Sequence, residues 1–314
     1  MNRTALDQYE EIVTDALKSC SAKLRKSFKT AFIQIMILYM ILPRKINFTQ
    51  MGRYSDSSEQ RFRQLFEREF DWMQFNLFLM RQRFGESVRK AIAIDASYIS
   101  KSGKKTPYIG KFWSGCASQV KRGLEILGIG IIDIDSRDCM MLRAEQTPDK
   151  AYLEKQGEDY NLVDWYLDVL RKYKDKLLRI TRYVIADAWF SKAKFVGEAC
   201  LLGFHVISRL RDDAALWYAH DGVRTGKRGR PRIKGEKIDF ENLDLQRCEI
   251  LDIEGGRAYS VKAYSKAMKR NIKVVVHYPE SGGHKIYFST DLDMAAKDII
   301  EYYRTRFQIE FCFR

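Results

Sequence analysis

Two aspartates and one short run near the end of the chain carry the residue types from which hydrolytic chemistry is built. Asp95 ends the apolar run Ala91-Ile-Ala-Ile94, and Asp187 ends Tyr183-Val-Ile-Ala186; the local sequences are DASY and DAWF. A carboxylate at the end of a buried strand is costly unless it meets a cation or a donor. Two of them on neighbouring strands can hold divalent ions about 3.5–4 Å apart and generate hydroxide from water. Taken singly, each Asp reads more readily as a plain strand-end or turn residue. The run EYYRTRFQIEF adds Tyr303, Arg306 and Glu310 at steps of three and four residues, one face of a helix. Arg and Tyr on that face can hold a phosphate while Glu supplies a third metal ligand. An amphipathic surface helix with its aromatics inward and an Arg–Glu pair outward fits the same spacing.

Several elements are needed to bring these residues together. Residues 1–88 read as a helical domain: apolar positions recur at helical spacing in Phe28, Phe32, Ile35, Met36 and Tyr39, and in Phe62, Leu65, Phe66, Phe70 and Met73. Asn47 is a candidate cap for one short helix, and Ser55 or Asp56 for a second that carries Arg61 and Arg63. A helix-turn-helix DNA reader and a generic helical bundle both fit this pattern. From residue 91 the period changes to strands: Ala91–Ile94, Leu124–Ile134 and Met140–Ala144 form an antiparallel meander. A helix over about 159–178, a strand at Tyr183–Ala186, a helix near 192–202 and a strand at Phe204–Ser208 complete the order βββαβαβ. That order is an α/β, ribonuclease-H-like mixed sheet flanked by helices. The expected catalytic domain comprises 89–212 and 271–314. It is interrupted by a basic, mostly β insertion at 213–270 and resumes with strands at Ile272–His277 and Lys285–Ser289. A single last helix is expected from about Met294 to the end.

The chain has 314 residues with 55 Lys+Arg against 41 Asp+Glu, a formal charge of +14. Such an excess of cations favours a polyanionic partner, because each neutralised phosphate releases condensed counterions. Six scattered cysteines with no CxxC pair, and only four His, suggest neither a zinc site nor a disulfide framework. The most apolar run, Ala31–Leu42, is far short of the ~20 residues that span a bilayer, so no membrane role is expected. Lys101, Lys104 and Lys105 follow Asp95 in a Gly-containing loop, as phosphate ligands or as a solvated loop. Asp133, Asp135 and Asp138 read as turn or surface residues.

With these residues in place, the sequence resembles the DDE transposases of bacterial insertion sequences, in the insertion-sequence-four branch marked by Tyr-x2-Arg-x3-Glu-x6-Lys. Tyr303, Arg306 and Glu310 match its first three positions at the family's spacing. IDAS (94–97), VIADAWFSK (184–192), VISRLRDDA (206–214) and GRPR (229–232) are further resemblances. The resemblance covers most of the chain from about residue 25. It implies metal-dependent DNA strand cleavage and strand transfer, with Asp95, Asp187 and Glu310 binding two Mg²⁺ ions, for which Mn²⁺ would substitute. Tyr303 and Arg306 would grip phosphates near the transposon end. Arg209 and Arg228, Arg230 and Arg232 are further candidates for DNA contact, with Pro231 laying an extended arm in a narrow minor groove; a solvated basic loop fits equally. The partners implied are double-stranded DNA, both terminal inverted repeats and target, and a second copy in a homodimer on DNA. The location implied is the bacterial cytoplasm, at the nucleoid.

The family's Lys would fall seven positions after Glu310, but the sequence stops at Arg314. This reads as a transposase shortened at its C-terminus. The alternative function is an inactive remnant that only binds transposon-end DNA. A sequence-independent nuclease of the same fold is a third reading, and it would cut without preference for ends.

Overall fold

A computed structural model describes residues 4–20, 24–43, 46–103, 105–220 and 233–313. The chain divides into two units, Met1–Glu86 and Ser87–Arg314, each with its own core. The first unit is helical: α1 (Ala5–Ser19), α2 (Lys26–Ile41), α3 (Phe48–Arg53), α4 (Glu59–Phe66) and α5 (Trp72–Phe84). Val13, Ala16, Leu17, Phe32 and Phe75 fill one cluster, and Leu38, Leu42, Met51 and Phe62 a second. Asn47 caps α3, accepting from the Gln50 N–H at 2.9 Å. The cap of α4 is Ser58, not Ser55 or Asp56. Ser55 turns back instead, its hydroxyl donating to the Met51 carbonyl at 2.7 Å, so it ends α3 rather than starting α4. Arg63 is engaged by Glu59 and lies 5.0 Å over the Phe48 ring.

The second unit begins with four strands, β1 (Lys90–Ser100), β2 (Gly110–Ser114), β3 (Gln119–Asp133) and β4 (Asp138–Gln146). Helices α6 (Lys150–Gln156) and α7 (Leu162–Leu178) follow, then β5 (Tyr183–Ala186), α8 (Ala193–Leu201) and β6 (His205–Leu210). The stretch after β6 contributes β7 (Leu216–Ala219), β8 (Lys234–Lys237), β9 (Glu249–Ile253), β10 (Gly256–Ser265), β11 (Arg270–Pro279) and β12 (Lys285–Ser289). It closes with α9 (Ala296–Thr305) and α10 (Gln308–Phe311). The strands of the described residues join one twelve-stranded sheet in the order β2-β3-β1-β5-β6-β12-β11-β10-β7-β8, with β4 on β3 and β9 on β10. Pairing is parallel for β1–β5 and β5–β6 and antiparallel elsewhere. This is the mixed, helix-flanked sheet of the ribonuclease-H-like fold. The strands of residues 213–270 extend the same sheet through β10, which pairs with β11 over its full length.

Alternation along the strands decides which residues can meet. Ala91 and Ala93 of β1 and Ile185 of β5 lie in the core that holds Ile299, Ile300 and Tyr302 of α9 and Ile309 of α10. Asp95 and Asp187 continue the same parity, so both belong to the face that these two helices cover. Arg89, at the head of β1, pairs with Asp135 at 2.8 Å and with Asp298 and Glu301 of α9, fixing that helix across the sheet.

Four elements differ from the sequence reading, one of them α6, a short helix ahead of α7 that the reading did not include. β1 does not stop at Asp95 but runs on to Ser100, because β3 offers paired partners as far as Gly123. A further strand, β2, precedes β3. The last helix is not continuous: it breaks after Thr305, and Arg306, Ile309 and Glu310 each donate to the residue three before. The buried Thr305 hydroxyl donates to the Tyr302 carbonyl at 2.8 Å, a local bond of the kind that bends helices. Among the described residues no helix is long and apolar enough to cross a membrane.

Candidate active site

Asp95 and Asp187 lie one residue beyond a paired position, Ile94 beside Ala186, on adjacent parallel strands. Strands stand about 4.8 Å apart, so the two carboxylates are neighbours although 92 residues separate them in sequence. Asp95 Oδ1 accepts from the Ala96 N–H at 2.9 Å. Asp187 starts a short 3₁₀ turn and accepts from the Trp189 N–H at 3.0 Å. Its own carbonyl is held by the buried Ser208 hydroxyl at 2.9 Å, and Ser191 Oγ donates to the Arg209 carbonyl at 2.8 Å. β6 therefore fixes the backbone on which Asp187 stands.

The last helical segments bring a guanidinium to this pair. Arg306 Nη1 lies 3.6 Å from Asp95 Oδ2, and Nη2 donates to Glu310 Oε1 at 3.0 Å. The Arg306 and Asp95 side chains are 17% and 18% exposed, whereas Glu310 is 48% exposed. The guanidinium thus sits between two carboxylates in a largely dry place. α10 is seated by Ile309 in the core and by Phe313, whose ring covers Gly128; a Cβ there would lie 2.6 Å from it.

The electrostatics follow from crowding carboxylates away from water. Burial, reinforced by Asp187 and Glu310 and opposed by Arg306, pushes the Asp95 carboxyl up to about 6. Burial raises Asp187 in the same way, again with Arg306 opposing. Tyr303 packs on Tyr287 with ring centroids 5.1 Å apart, and burial raises its hydroxyl within reach of the fields of Arg306, Asp187 and Arg209. A pair of buried, like-charged carboxylates is a set of hard oxygen donors suited to a divalent cation. As the side chains stand, no three His, Cys, Asp or Glu side chains among the described residues close on one point. Glu310 is drawn to Arg306 instead, and the guanidinium provides the positive charge between the carboxylates.

The structure therefore brings Asp95, Asp187, Tyr303, Arg306 and Glu310 onto one face. Arg209 reaches Tyr303 electrostatically, but its guanidinium is paired with Asp212 at 2.9 Å. Lys101 and Lys105 are exposed, and Lys104, Arg228, Arg230 and Arg232 lie outside the described residues. Asp133 accepts from the Asp135 and Ser136 N–H groups as a turn residue, and Asp135 pairs with Arg89. Two residues at the site were not singled out by their spacing. Trp189 and Lys192 border a groove of about 770 Å³ beside Asp187, with Arg211, Lys266 and Met268 on its other walls. Lys192 Nζ lies 3.5 Å from the Trp189 ring centroid, and burial lowers its pKa against the pull of Asp187. Both residues stand in the run DAWFSK, whose Lys returns toward the carboxylate through a turn that spacing alone does not define.

No curated protein matches the chain. A family model described as DDE superfamily endonuclease matches residues 25–249, more than two thirds of the sequence, and includes Asp95 and Asp187 but not Glu310. Enzymes of this group act on DNA and generally use divalent metals. The chain belongs to the DDE superfamily endonucleases.

Proposed function

We propose that this endonuclease is a transposase of the insertion-sequence-four branch, cutting DNA at the ends of its element and joining them to a target. The observation that carries this reading is the meeting of Asp95 and Asp187 with Tyr303, Arg306 and Glu310 on one covered face of the sheet. Bound divalent ions, Mg²⁺ or Mn²⁺, supply Lewis-acid activation of water or of a 3′-hydroxyl and stabilise the leaving oxygen. Asp95 and Asp187 would hold them, and Glu310 would be the third ligand. Arg306 keeps the carboxylates compensated while no ion is present, then turns its donors to a phosphate oxygen. Tyr303, held by Tyr287, sets the position of that phosphate. Ser208 and Ser191 keep Asp187 from drifting. On this reading the helical residues 1–88 bind the element's ends, residues 213–270 add a basic surface, and two copies act together on DNA at the nucleoid.

The test uses a labelled duplex carrying the inverted repeats that flank the gene, incubated with the protein and Mg²⁺ or Mn²⁺. Cleavage at the repeat ends, followed by joining of the 3′ ends, is expected. Asp95→Asn, Asp187→Asn and Glu310→Gln should each lower the rate by about a thousandfold. Full activity in the first two variants would overturn the assignment. The remnant reading draws on the Arg306–Glu310 ion pair, which holds the third carboxylate away from the other two. Tight binding of repeat DNA with no cleavage under any divalent ion would favour it.

A further inference from the structure

β3 is longer than either of its neighbours on its outer edge. Its second half carries β4, while Gln119–Gly123 pairs with β2 as a two-stranded ribbon that runs on past the end of β1. The register places Lys111 opposite Arg122 and Trp113 opposite Val120. Alternation puts these four side chains on one face of the ribbon, and all four are exposed, Trp113 at 59% and Val120 at 57%. On the other face Phe112 and Ser114 are buried, and the base is held by Tyr108 against Tyr152 of α6. The ribbon is therefore anchored on one side and bare on the other.

Two features of the bare face run against stability. Like charges directly opposite one another destabilise a strand pair, and here Lys111 faces Arg122. A large aromatic and a β-branched residue are left in water beside them. Between residues 99 and 123 the sequence has Lys101, Lys104, Lys105, Lys111, Lys121 and Arg122 and no acidic residue. Among the described residues Lys111, Lys121 and Arg122 pair with no carboxylate; Arg122 donates to the Gly103 carbonyl at 3.0 Å. Uncompensated cations alternating with apolar contact surface are what a polyanion with stacked, apolar interior edges requires. A two-stranded β-ribbon also has the width to enter the major groove of duplex DNA.

We infer that the β2–β3 ribbon is a duplex-DNA clamp, with Lys111 and Arg122 on phosphates and Trp113 with Val120 against the groove. The inference rests on the DNA-cutting reading and extends it to where the duplex leaves the site. From Asp95 to the level of Lys111 and Trp113 is six to eight residues along the strands. That is roughly 20–27 Å at about 3.3 Å per residue. Such a distance corresponds to about six to eight base pairs of duplex from the cut.

The experiment is a salt titration of the full chain on a fluorescent 40-base-pair duplex, with EDTA present so that binding is read apart from cleavage. The double variant Lys111→Ala/Arg122→Ala should flatten the slope of log K against log salt by about 2. Trp113→Ala should weaken binding roughly fivefold or more while leaving the slope alone. All three side chains are exposed, and an unchanged melting temperature would show that the variants are folded. If the wild type binds duplex and the double variant keeps both slope and affinity, the ribbon inference falls and the DNA-cutting reading stands. If the wild type binds no duplex at any salt, both fall together.

Discussion

On the proposed reading Asp95 carries most of the chemistry, and its burial carries most of the cost. Its carboxyl is raised from the ordinary value of 3.8 to about 6, so the folded state favours its protonated form. The stability this contributes is complete below about pH 4 and is lost as pH rises through about 6. Above that, the metal-free protein carries an ionised carboxylate in a dry site. Asp95→Asn should therefore stabilise the metal-free protein at pH 8 by about 1 kcal/mol or more, seen as a higher melting temperature. At pH 5 the gap should shrink; a gap independent of pH would contradict the burial argument. Divalent ions need the ionised form, so Mg²⁺ should stabilise the wild type at pH 8 and much less at pH 5. Thermal scans with and without Mg²⁺ read both effects, and Asp95→Asn should show little ion-induced shift. That Asp95 and Asp187 lie side by side was legible because each closes an apolar strand run. It was the run with Tyr303, Arg306 and Glu310, not either Asp alone, that pointed to a common site. Trp189 and Lys192 were not legible: a Lys five residues past an Asp is ordinary until a turn folds it over a Trp ring beside that Asp.

Elements decide whether those residues meet. Strand alternation was readable from Ala91 to Ile94, and it places Asp95 on the face of Ala91 and Ala93. The continuation of β1 to Ser100 was not readable, because Ser97 to Ser100 are strand only through β3. Gly123 shows how close that pairing is: a Cβ there would lie 2.4 Å from the Ile99 carbonyl oxygen. The obstructing atom is backbone, so Gly123→Ala should open the β1–β3 ladder and cost about 1–3 kcal/mol. A melting temperature lower by several degrees is the expected reading. The final helix illustrates the opposite case. Its three-and-four spacing correctly groups Tyr303, Arg306 and Glu310, yet the helix breaks at Thr305, whose buried hydroxyl bonds back to Tyr302. Spacing cannot report such a bond, since Thr reads as an ordinary helical residue until it is buried.

At the scale of the whole molecule, each unit has its own hydrophobic clusters, and the site is assembled within Ser87–Arg314. That segment produced alone should unfold cooperatively in a calorimeter and keep the Mg²⁺-induced shift of the full chain. Loss of either would mean that the site draws on Met1–Glu86. The fold class was legible because the order of strands and helices around Asp95 and Asp187 leaves few topologies. The joining of residues 213–270 to the same sheet was not, since which edge strand pairs with which is set at long range. The proposed ligands are equally dispersed: Glu310 follows Asp95 by more than two hundred residues. A ribosome adding about 5–20 residues per second needs on the order of ten to forty seconds to cover that interval. On the proposed reading, a nascent chain therefore passes that interval with the first carboxylate made and the third ligand missing.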